Sequence, residues 1–216
     1  MREILGYFLH PETSIDELVN SEEKGKWKEG LFKWVLVAIL AGFMTIVAYQ
    51  VGGIKLSSLT GNMGEILNEF MSKSDNEGMK WLVLVGVNIF RILLTAMVRT
   101  GLWVGLLYIV NKLLNSEIGL WQIIRISIYS ILTWITSQLI TAITMLIAMI
   151  SPIGVISQML LGLGSILGYW YLIVFIIGYS IMTRSTFFQG GVIIVVLQAI
   201  LWGVGSNFPI LQGILG

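Results

Sequence analysis

The sequence has no cysteine and a single histidine, His10. Without thiols it can form no disulfide, no thiolate metal site and no cysteine nucleophile. Charge is also scarce: 12% of the residues are charged and 56% are hydrophobic, whereas a soluble domain carries about 25% charged residues. The polar side chains are too few to cover a water-soluble globule. The mean hydropathy of +0.87 makes a lipid bilayer the natural solvent. The net charge of +1 offers no basic face for nucleic acid. The apolar runs hold no aspartate, glutamate or histidine. The chain has no H-E-x-x-H and no glycine-rich phosphate loop ending in lysine. These absences predict a protein that is not an enzyme and carries no cofactor or metal.

What is present is a series of long apolar runs. A spanning helix needs about 20 mostly apolar residues. Candidates cover 31–51, 81–110, 126–150, 155–181 and 187–204. No residue between Arg125 and Arg184 is charged, and Ser151-Pro152-Ile153-Gly154 is the strong turn signal inside that stretch, so a tight helical hairpin is expected there. Backbone groups in lipid must pair internally, which leaves helices or closed barrels. Barrel strands alternate apolar and polar residues, and these runs are apolar all round. The expected fold class is an all-α polytopic membrane bundle of about five transmembrane helices plus short interfacial helices. Residues 1–30 form an N-terminal segment and 31–216 the membrane domain.

Lysine and arginine in short loops set orientation. Arg2, Lys24, Lys26, Lys28, Lys33, Lys112, Arg125 and Arg184 fall on the N-terminal side, and Lys55, Lys73 and Lys80 on the other. The excess predicts a cytoplasmic N-terminus, and five spans then put the C-terminus outside. The mixed charge of the first thirty residues does not resemble a cleavable signal peptide, so the first span is expected to be an uncleaved anchor. Two further segments have amphipathic spacing. Pro11 is suited to open a short helix whose apolar face is Ile15, Leu18 and Val19. In the second segment Leu56, Leu59, Met63, Ile66, Leu67 and Phe70 recur at helical spacing. Each would lie in the headgroup region or pack on the bundle.

Two arginines stand out because they fall inside a span. Asn88, Arg91, Thr95 and Arg99 share one stripe of the second apolar helix. An arginine near the bilayer centre costs about 2.5–3.5 kcal/mol on insertion scales, so it normally faces protein or water. One reading is a polar cavity or a site for an anionic group such as a lipid phosphate. The plainer reading is that Arg99 snorkels to the cytoplasmic headgroups while Arg91, taken as the deeper of the two, is buried against Gln138, Gln158 or helix-end carbonyls. Thr133, Ser137, Thr141 and Thr144 line the third span, where small and hydroxyl residues let helices approach and bond across an interface. Gly101-x-x-x-Gly105 and Gly164-x-x-x-Gly168 fit the same contact pattern. They are read as packing inside the bundle, with a homo-oligomer contact the second choice.

The arrangement resembles the Yip family, five-span membrane proteins named for interaction with Ypt/Rab GTPases. The resemblance rests on Phe8-Leu9-His10-Pro11-Glu12 through Leu18 before the first span and on a longer loop after that span. It also rests on the closing region, which runs from Trp170-Tyr171-Leu172-Ile173 and Gly178-Tyr179 to Thr183-Arg184-Ser185 and the last span. With only about thirty residues before the first span, it is similar to the prokaryotic members. The resemblance implies an inner-membrane adaptor or scaffold without catalytic residues. Its partners would be membrane lipids and another membrane protein, such as the subunits of an ABC-type exporter. The alternative is a small permease or lipid transporter whose pathway is the Arg91/Arg99 stripe. An accessible cavity along the stripe would favour the transporter, and a plugged stripe the scaffold.

Overall fold

The computed structural model describes residues 11–20, 26–51, 76–114, 116, 118–150 and 166–207, with 159, 162 and 163 between them. Six helices account for nearly all of these: α1 (Pro11–Asn20), α2 (Lys26–Val51), α3 (Glu77–Leu113), α4 (Leu120–Ile150), α5 (Trp170–Thr183) and α6 (Phe187–Asn207). The described residues are all-helical. Three helices carry spans long and apolar enough to cross a membrane: Trp27–Ala48, Gly78–Leu113 and Leu120–Met149.

The helix positions follow the apolar runs, extended by polar turns at their ends. α2 covers the expected 31–51 run and includes residues back to Lys26, with the Lys33–Glu29 pair at 2.7 Å in its N-terminal part. α3 begins where the Asn76 side chain accepts from Met79 N at 3.2 Å, an N-cap that satisfies one of the free amides of the first turn. The expected span over 155–181 differs most. Its described helix is α5, 14 residues long, preceded at Gly168–Tyr169 by a turn in which Tyr169 N and Leu172 N each bond three residues back. At about 1.5 Å per residue, α5 covers only about two thirds of the bilayer core. With α6, whose apolar part is Phe187–Gly203, it forms a pair of shorter apolar helices. The Ser151–Gly154 turn, Gln158 and the 56–70 segment lie outside the described residues.

α4 is the axis of the bundle. Every residue from Ile126 to Ser137 is buried, and α1, α2, α3 and α5 all pack on α4, while α6 packs chiefly on α5. Five of those twelve residues are serine or threonine. Their hydroxyls turn back onto their own helix where bonds form: Thr133 to Ser130 O at 2.6 Å, Thr136 to Leu132 O at 2.9 Å and Ser137 to Trp134 O at 2.7 Å. The small residues serve close packing, and these three do not bond across interfaces as the sequence suggested. A hydroxyl one turn from a carbonyl finds it without any tertiary contact.

Close approach comes from other glycines than expected. Gly101 and Gly105 face open space, on the outer side of α3. Gly42 instead lies against α3: a Cβ there would meet the Ile89 side chain at 2.5 Å and its backbone N at 3.2 Å. Asn88 uses that proximity to donate from Nδ2 to Gly42 O at 3.2 Å. Trp34 Nε1 donates to Ile128 O at 2.9 Å, fixing α2 on α4. α1 begins at Pro11, and its Ile15 belongs to the core at 1% exposure. It is therefore a helix packed on the bundle.

The contacts also set direction. Trp27 stacks on Trp121 with centroids 6.4 Å apart, so α2 and α4 start at the same end. Tyr179, near the end of α5, reaches Asn111, near the end of α3. This end of the bundle carries Lys28, Lys33, Lys112, Arg125 and Arg184 and is called the basic end below.

Candidate functional site

The polar stripe of α3 is divided by the structure. Asn88 and Arg99 are buried, at 5% and 7% exposure. Thr95 and Gln138 are half-buried, and Arg91 is exposed on the outer side of the helix. This reverses the expected roles of the two arginines. On a helix of about 100° per residue, Arg91 and Arg99 differ by about 80°. The buried face runs through Leu84, Asn88, Ile92, Ala96, Arg99, Trp103 and Leu107. Arg99 sits within it and Arg91 beyond its edge.

Depth reverses as well. The α3–α4 hairpin puts the Arg99 Cζ 4.5 Å from the centre of the Trp134 ring. Trp134 follows Arg125 by nine residues, about 13 Å of helix. With Arg125 at the headgroup boundary, Arg99 lies close to the middle of a hydrocarbon layer about 30 Å thick. α3 runs antiparallel to α4, so Arg91 is about 12 Å farther from the basic end. That position is within snorkelling distance of the opposite headgroups.

Aromatic rings from three helices surround the buried guanidinium. Trp134 of α4 offers its face, and the Tyr171 ring of α5 is centred 5.9 Å away. Trp103, one turn along α3 from Arg99, stacks on Phe175 at 4.3 Å, and Phe175 meets Tyr171 edge-on at 6.3 Å. α6 closes the group, with Tyr171 Oη donating to Gln198 Oε1 at 3.1 Å. The negative face of an indole attracts a cation, by about 2 kcal/mol where both are desolvated. The space left between Arg99, Trp103, Tyr171, Gln198 and Leu201 is about 10 Å³, roughly the room of one water molecule.

No family model, curated protein or solved structure matches this chain.

The chemistry of the layer is therefore read from its own atoms. Arginine keeps its proton in proteins, so Arg99 offers a fixed positive charge and hydrogen-bond donors but no acid–base function. Among the described residues, no three of His, Asp and Glu gather where they could hold a metal ion. Trp103 was within reach of sequence reasoning, since it lies four residues after Arg99 on the same face. Trp134, Tyr171 and Gln198 were not, because only the register between helices brings them to Arg99.

Proposed function

We propose that this chain is a non-catalytic adaptor or scaffold of the Yip type in the cell (inner) membrane of a prokaryote. The observation that carries the reading is the closure of the Arg99 layer. Trp103, Trp134, Tyr171 and Phe175 surround the buried cation and leave a space of about 10 Å³, too small for a permeant solute. The closed surroundings of Arg99 support the scaffold over the permease alternative. In this reading the chain crosses the membrane five times, with α5 and α6 completing the passes begun by the three long helices. The basic end faces the cytoplasm. Its partners are lipids and a second membrane protein, for which subunits of an ABC-type exporter are the concrete case.

Two experiments test this. A tagged full-length chain is purified from native membranes in mild detergent, and the proteins that come with it are identified. A stoichiometric membrane partner that survives a second purification step is expected. Recovery of the chain alone, together with solute flux in sealed vesicles, would overturn the scaffold in favour of the permease. For topology, a reporter active only in the cytoplasm is fused to the C-terminal Gly216 and should be silent, while one active only outside should work. Cytoplasmic activity at that position would rule out either the five passes or the orientation.

A further inference from the structure

A wide opening among the described residues lies at the basic end, far from Arg99. It is a cleft of about 810 Å³ between the α3–α4 connection and the α5–α6 turn. Its rim holds Ser116, Gln122, Arg184 and Gln189, and its inner wall holds Ile118, Met182 and Ile193.

The rim groups offer donors. Gln122 Oε1 accepts from Gly119 N and Gln189 Oε1 accepts from Thr186 N, each at 3.1 Å. Both amide oxygens are thus engaged by backbone, which leaves the two NH₂ groups as the remaining polar atoms of those side chains. Thr183 and Ser185 are engaged with each other at 2.7 Å, and Thr183 also with Tyr179 O. Arg184 adds its guanidinium and is exposed. No described residue lining the cleft is acidic. Behind the Tyr179 wall, Asn111 is 3% exposed, and its Nδ2 has no hydrogen-bond partner among the described residues. α4 and α6 also begin here, with the partial positive charge of helix starts.

The backbone at Arg184 gives a second, independent sign. Its φ of 51° and ψ of 33° lie in the left-handed region, and no other described non-glycine residue has positive φ. A helix end in this conformation normally takes glycine. A strained non-glycine residue is a reason to ask what its side chain does.

From these observations we infer that the cleft binds a phosphate ester, and that its source is the headgroup of an anionic phospholipid in the leaflet at the basic end. A planar guanidinium matches phosphate oxygens in bidentate fashion, and amide and hydroxyl donors fill the remaining oxygens. The wall of Ile118, Met182 and Ile193 suits the first methylenes of an acyl chain, which a free phosphate would leave uncovered. The site is separate from the adaptor reading and stands or falls without it.

The test uses the full chain purified in phosphate-free detergent. Binding is measured by native mass spectrometry and by thermal shift with phosphatidylglycerol, phosphatidylcholine and inorganic phosphate. Wild type should retain phosphatidylglycerol in preference to phosphatidylcholine, with inorganic phosphate a weak competitor. Arg184→Ala should weaken phosphatidylglycerol binding about tenfold, Arg184→Lys less, and Lys28→Ala not at all. Arg184→Gly separates binding from folding, because it relieves the backbone while removing the side chain. It should melt no lower than wild type without lipid and still lose the lipid-induced shift. Undiminished binding by Arg184→Ala and Arg184→Gly would overturn the site, as would equal retention of phosphatidylcholine. Inorganic phosphate giving the full shift by itself would keep the anion site and overturn the lipid as its source.

Discussion

Trp134→Ala should destabilise the bundle by about 3 kcal/mol, measured by reversible unfolding in detergent or bicelles. Two terms add. The indole, 8% exposed, leaves a void beside Arg99, and Arg99 loses the ring that its guanidinium covers at 4.5 Å. Transfer out of water contributes little, because a lipid-embedded reference state already hides apolar side chains. The cost is therefore packing plus the lost attraction between the cation and the indole face. That asymmetry predicts the sign of the companion variant. A buried ion replaced by an apolar residue of similar size is often neutral or stabilising, whereas a buried ion that loses its partner is costly. Arg99→Leu should accordingly change stability by less than about 1 kcal/mol, and adding it to Trp134→Ala should restore about 2 kcal/mol of the loss. A cycle in which Arg99→Leu and Trp134→Ala simply add would show that the stacking carries no energy.

Gly42→Leu should be nearly as damaging, by about 2–3 kcal/mol from overpacking. Its first side-chain atom would fall 2.5 Å from the Ile89 side chain and 3.2 Å from the Ile89 backbone N. A rotamer change moves the first neighbour but not the second, so α2 and α3 must separate. Separation also breaks the bond from Asn88 Nδ2 to Gly42 O, leaving a buried amide without its partner. Gly101→Leu and Gly105→Leu face open space and should leave the unfolding free energy of the purified chain within about 0.5 kcal/mol of wild type. Equal losses at all three glycines would show that the Gly-x-x-x-Gly pair holds the bundle together after all.

Sequence alone carried the reading as far as one-dimensional information goes. Scarce charge and uniform apolar runs specify helices for lipid, because nothing else satisfies the backbone there. The start of α6 at Phe187 follows from the polar Thr183-Arg184-Ser185 boundary before it. Hydropathy predicts continuous helix before Trp170, because it does not register the turn at Gly168–Tyr169.

What tertiary structure decided was which of two arginines is buried. A helical wheel places Asn88, Arg91, Thr95 and Arg99 within an arc of about 80°, and an arc that wide can straddle the edge of an interface. The choice fell to packing between helices. α3 meets α4 so that Arg99 rests on Trp134, and α5 adds Tyr171 and Phe175 to the same layer. Those rings are distant in sequence, and no local periodicity encodes the register that joins them. Composition and spacing could therefore show that a cation must be sheltered in this bilayer span, whereas only the fit of three helices could select Arg99 and the aromatic faces that shelter it.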